Sequence, residues 1–188
     1  MSSYASIYGC GDSEAEHVCH DCAGSRNREF ARTRSSGFIK LAYLATVVGA
    51  PTTASVWEDG KASGDIIMIP ETSGSYDPGE PKELKGYGNR KVSYGAREMT
   101  LAFNDPDYVE NYAFYNEIIN RTNLVPFFCT SDLVHIFDQV ASIKAKDPVA
   151  DDLEEEVVWR VECKVTSENL PTKHSLTSIR SVFSCPNE

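Results

Sequence analysis

Val157-Val158-Trp159-Arg160-Val161-Glu162-Cys163-Lys164-Val165 is the stretch on which the fold turns. Val157, Trp159, Val161, Cys163 and Val165 fall on one side of an extended chain, and Val158, Arg160, Glu162 and Lys164 on the other. Strand side chains alternate, so a strict period of two over this length describes a β-strand with one face against a core. A slip of one residue would turn the whole apolar set outward, which fixes the register of its neighbours.

Working outward, Arg97, Met99, Leu101 and Phe103 alternate with Glu98, Thr100 and Ala102 and predict a second half-buried strand. It runs into Asn104-Asp105-Pro106-Asp107, where Asp105 can cap a helix, Pro106 suits its first turn, and Asp107 with Glu110 offers a second capping box. A helix over 107–120 follows, with Tyr108, Tyr112, Tyr115 and Ile119 at helical spacing and Phe114 and Ile118 beside them. Residues 124–130 and 133–137 read as short strands, and 139–146 as a further one. Residues 36–44 and 65–70 also read as strands, although neither alternates cleanly; Pro70 ends the second.

One helix among many strands leaves none for βαβ crossovers, so the expected class is mainly β (α+β), an antiparallel β-sandwich or barrel with one packed α-helix. The core should span 36–170. Residues 1–35 are polar and hold three of the six cysteines, and read as an N-terminal arm; residues 171–188 read as a C-terminal extension. Within the core, 71–90 is so rich in Gly and Pro that a long loop is expected, and loops of that length usually carry function or a partner contact.

A chain of 188 residues with 41% hydrophobic and 24% charged residues can bury one sizeable core. Its formal net charge of -10 argues against gripping duplex DNA, which needs Lys and Arg to neutralise phosphate. A negative wall along which DNA slides remains compatible. No apolar stretch approaches the about 20 residues of a membrane span, and the first residues lack a signal-peptide layout, so a reducing cytosol and free or metal-bound thiols are expected.

The densest set of soft ligands is Cys10, Cys19 and Cys22, with His17 and His20 between them. Cys19-x2-Cys22 has the spacing that brings two thiolates to one Zn²⁺; Cys10 is the natural third ligand, and His20, His17 or the distant Cys185 a fourth. Unliganded thiols are the plain alternative, and Cys129 and Cys163, inside apolar strands, read as buried core thiols. His135 reads as a core histidine and His174 as a loop residue. There is no Walker loop, Gly-x-Gly-x-x-Gly or His-Glu-x-x-His, and no nucleophile, base and orienting group that spacing would bring together, so no enzymatic activity is expected.

Charge is unevenly spread. Arg26, Arg28, Arg32 and Arg34 form a basic run, and Asp147, Asp151, Asp152, Glu154, Glu155 and Glu156 an acidic one, which is either a solvated loop or half of a head-to-tail contact between copies.

The junction Asn104-Asp105-Pro106-Asp107-Tyr108 followed by Asn111-Tyr112-Ala113-Phe114-Tyr115-Asn116 resembles that of tail tube proteins of tailed bacteriophages. Together with Pro148-Val149-Ala150-Asp151-Asp152-Leu153 leading into Glu156-Val157-Val158-Trp159-Arg160-Val161, it is similar to virion structural proteins of phages infecting Bacteroidetes. The resemblance covers 36–170. It implies a β-sandwich flanked by a helix, hexameric rings stacked into a tube with a negative lumen for DNA, and a long loop reaching a neighbouring subunit. The expected partners are then the chain itself and other tail proteins, in a virion assembled in the host cytoplasm, with DNA only as cargo and no membrane. On this reading Tyr76, Asp77, Pro78 and Tyr87 of the loop, the four arginines, and Asp151, Asp152, Glu154 and Glu155 are the subunit-interface candidates. The N-terminal cysteines depart from the tail tube pattern and favour, as an alternative, a zinc-stabilised head-tail connector, tail terminator, or capsid decoration or adaptor protein.

Overall fold

A computed structural model describes residues 35–70, 72–84, 93–106, 111–146 and 158–183. The chain is a β-rich α+β fold of antiparallel, sandwich-like sheets, as the alternating stretches predict. The first sheet is ordered β10-β7-β6-β1-β2, from β1 (Ser35–Lys40), β2 (Ile66–Ile69), β6 (Leu124–Cys129), β7 (Leu133–Ile136) and β10 (Thr172–Ser175). The second is ordered β3-β5-β9-β8, from β3 (Ser73–Asp77), β5 (Ser93–Asp105), β8 (Ser142–Lys146) and β9 (Trp159–Ser167); β4 (Pro81–Leu84) also pairs with β5.

The two sheets explain why some strands were clean in the sequence and others were not. β9 pairs with β5 from Arg97↔Ser167 to Asp105↔Trp159, and its alternate residues Trp159, Val161, Cys163 and Val165 are buried against the first sheet. The first sheet is buried on both faces. Phe38, Ile67, Ile69 and Phe128 enter the core shared with the second sheet, while Ile39, Ile66, Met68, Phe127 and Cys129 enter another core behind it. A strand buried on both sides reads as a continuous apolar run with no alternation.

The second core is closed by helices. α1 (Leu41–Gly49), α2 (Ala54–Ala62) and a 3₁₀ turn (Arg180–Phe183) supply Val47, Trp57, Val182 and Phe183 to it. The expected strand over 36–44 therefore stops at Lys40. Lys40 N–H still bonds Asp65 O at 2.8 Å and Leu41 N–H bonds Asn123 O at 2.8 Å, after which Leu41-Ala42-Tyr43-Leu44-Ala45, mostly good helix formers, turn into α1. Three helices, not one, are present among the described residues.

Two further boundaries are corrected. The region expected as a long loop over 71–90 holds β3 and β4, and 71 and 85–90 lie outside the described residues. The C-terminal extension belongs in part to the core: β10 pairs with β7, and Leu176, Ile179, Val182 and Phe183 are buried. A short strand and one turn of 3₁₀ carry too few residues to show a period.

The helix expected over 107–120 is α3 (Tyr112–Ile118), with 107–110 outside the described residues. Asp105 is the last residue of β5, fully buried, and its Oδ2 accepts from Tyr115 Oη at 2.6 Å and Asn111 Nδ2 at 3.1 Å, so the carboxylate fastens α3 to the end of the sandwich. Tyr115 also lies 4.8 Å from the Trp159 ring. Removing this phenol should strip a charge-assisted bond from a buried carboxylate. Tyr115→Phe is expected to cost about 1.5–3 kcal/mol, read as a lowered urea midpoint with an unchanged slope.

Candidate functional site

On the β3–β4–β5 side of the second sheet the register of pairing shifts. β3 pairs with β5 from Ser73↔Asn104 to Asp77↔Thr100, and β4 resumes on the same side of β5 at Pro81↔Arg97, with a register shift before Glu83↔Tyr94. Between them Gly79 sits at φ +59, and a Cβ there would collide with Glu98 O. Its N–H donates to Asp77 Oδ1 at 2.9 Å. The break is therefore built from Asp77, Pro78 and Gly79, each suited to a turn.

Beyond this break the sheet narrows to a two-stranded arm. β9 pairs with β5 only from Arg97 onward, so among the described residues Ser93–Ala96 are partnered by β4 alone. Two strands without a third are marginal by themselves. Tyr94 stands on this arm 66% exposed, the most exposed large apolar side chain among the described residues.

The arm's root is anchored by an aromatic cluster. The Tyr76 ring lies 5.2 Å from Phe128 and 5.8 Å from Phe137, and its hydroxyl donates to Met99 Sδ at 3.3 Å. Burial raises the Tyr76 phenol above its ordinary range, against a smaller opposing pull from Arg97. Sequence reading names Tyr76, Asp77 and Pro78 as interface candidates; the Tyr76 ring joins the two sheets, and Asp77 and Pro78 shape the turn beside it. On the sheet's outer face Lys164 Nζ bonds Glu98 Oε1 at 3.1 Å and lies 3.9 Å from Glu162 Oε1, and the Glu98 contact is the main reason the ammonium holds its proton more tightly.

The remaining candidates divide cleanly. Tyr87, Arg26, Arg28, Arg32, Arg34, Asp151, Asp152, Glu154 and Glu155 lie outside the described residues, as do Cys10, Cys19, Cys22, His17, His20 and Cys185. Cys129 and Cys163 are fully buried thiols, as expected for core residues, and burial pushes Cys129 up to about 12 and Cys163 higher still. Among the described residues no three His, Cys, Asp or Glu side chains come together as a metal site.

Sequence reading missed one polar grouping, and it placed His135 in the core without its surroundings. Asp138 Oδ2 accepts from Ser167 Oγ at 2.9 Å and Asn169 Nδ2 at 3.1 Å and ties the turn after β9 to the turn after β7. His135 is buried, stacked on Phe128 at 4.4 Å and 13°, with Lys173 as its cross-strand neighbour and no partner for its Nδ1. Burial, with a smaller repulsion from Lys173, lowers its pKa to about 4.

A histidine with a depressed folded pKa is protonated first in the unfolded chain, so it withdraws stability as pH falls from about 6.5 toward 4. Lowering the pH from 7.5 to 5 is expected to cost about 1–2 kcal/mol through His135. His135→Phe, which cannot titrate, should lose correspondingly less over that interval in urea melts. Equal losses in both proteins would assign the acid sensitivity to other groups.

No family model, curated protein or solved structure matches this chain.

Proposed function

We propose that this chain is a self-assembling structural subunit that stacks as rings, hexameric in the simplest case, into the tail tube of a bacteriophage through which DNA passes. The single observation that carries the reading is the two-stranded arm of β4 and β5, which runs past the end of β9 with Tyr94 exposed. Such an arm gains its missing third surface from a neighbouring subunit. The sandwich with α3 packed at its end and the net charge of -10 fit the same use, since an acidic wall lets a polyanion slide without sticking. On this reading the partners are further copies and other tail proteins, the place is the virion, and the host cytoplasm is where assembly occurs.

The test is negative-stain microscopy with light scattering on concentrated protein. Rings or short tubes are expected, and Tyr94→Glu should weaken them by placing a charge in the contact. A wild-type chain that stays monomeric at every concentration would sink the proposal.

A further inference from the structure

We infer that copies of this chain join head to tail through the two edges of the second sheet, β8 of one copy pairing with β3 of the next. The inference rests on the self-assembly reading and names the surfaces that meet. Among the described residues neither edge is paired with another strand. Both strands are five residues long, Ser73–Asp77 and Ser142–Lys146. The break at Gly79 limits the regular part of the acidic edge to the length that β8 can cover.

Charge favours this arrangement over β8 against β8. β8 carries Lys144 and Lys146, both exposed, and Lys146 already faces Arg160 across the ladder to β9. On the other side, β3 carries Asp77, and the chain beyond the Gly79 break carries Glu80 and Glu83 against Lys82. Like charges directly opposite each other across strands destabilise, so β8 against β8, which sets Lys144 opposite Lys144, is disfavoured, while β8 against β3 brings opposite signs within reach.

Strand direction agrees. Every pairing in the path β3-β5-β9-β8 is antiparallel, and with four strands the two edges run in opposite directions. A copy related by rotation about an axis along the strands therefore presents β3 antiparallel to β8, and the sheet continues without a change of pattern. Full overlap of the two five-residue strands, with the core faces together, sets Tyr76 opposite Ile143 and Gly74 opposite Ala145, so the apolar row extends into the next copy. It also sets Ser75 opposite Lys144 on the outer face, with Asp77 on the diagonal to Lys144 and within reach of its long side chain. A heterologous contact of this kind closes into a ring or opens into a filament, according to the angle between copies.

Cross-linking separates these arrangements. Ser75→Cys and Lys144→Cys are both exposed outer-face positions, and directly opposite residues of an antiparallel pair lie within disulfide range. The two variants, each purified as the full chain, are mixed and mildly oxidised, with the wild-type chain as control for its six cysteines. A mixed dimer whose linked peptides join positions 75 and 144 is expected, at least tenfold above either variant alone. Equal cross-linking within one variant would show symmetric pairing and overturn the inference. Rings or tubes in the microscope without a 75–144 link would overturn this contact and leave self-assembly standing. Monomers throughout would overturn both.

Discussion

Replacing Trp57 with alanine is expected to lower the free energy of unfolding by about 3–5 kcal/mol. The side chain is fully buried among three different parts of the chain. Its ring lies 5.3 Å from Phe127 of the first sheet and 5.1 Å from Phe183 in the C-terminal 3₁₀ turn, and its Nε1 donates to Pro51 O at 2.9 Å. Deletion leaves a cavity that none of these partners can collapse into together, because each belongs to a separate element. Small domains hold about 5–15 kcal/mol in total, so the loss takes a large share. Equilibrium urea unfolding reads the magnitude, and limited proteolysis reads the location, with cleavage after Lys173 or Arg180 appearing first. A midpoint unchanged from wild type would show that α2 does not close the second core.

Gly37→Ala should cost about 3 kcal/mol for the opposite reason, an added atom with nowhere to go. Gly37 lies in the middle of β1 between Met68 and Phe127 on the flanking strands. A Cβ there would stand 2.6 and 2.7 Å from two Phe127 ring carbons, and nearer still to the backbone oxygen of Ile67. The ring can tilt, but the Ile67 carbonyl is fixed by sheet pairing. Adding Phe127→Leu to Gly37→Ala should therefore restore only part of the loss. Full restoration would place the whole clash on the ring.

The sequence made the second sheet easier to read than the first, and physics explains the difference. β9 and β5 have one wet face, so their alternation was visible and their burial follows it, from Met99, Leu101 and Phe103 to Val161 and Val165. β1 and β2 have none, and an apolar run with both faces covered does not distinguish strand from helix. That ambiguity let the start of α1 pass as the end of β1. In α3 the apolar stripe was right in kind and shifted in phase: Tyr115 and Ile118 are buried, while Tyr112 and Ile119 are 55% and 39% exposed. Of the interface candidates, Asp77 and Pro78 lie at the turn that breaks the sheet edge. The pull of Gly and Pro toward loop hid β3 and β4, because edge strands tolerate residues that a central ladder rejects. β8 lies within the strand expected over 139–146, but two lysines in five residues did not mark it as the sheet edge that the ladder shows.

The packing of Phe183 against Trp57 also bears on the order in which the molecule can be completed during synthesis. Every strand of both sheets, and both helices of the outer layer, are translated before Leu176, Ile179, Val182 and Phe183. Until those residues leave the ribosome, the aromatic floor around Trp57 and Phe127 has no cover, and such surface draws chaperones and stray partners. A chain that has docked residues 176–183 has therefore been translated at least to that point, and closure of the outer layer marks that stage of folding.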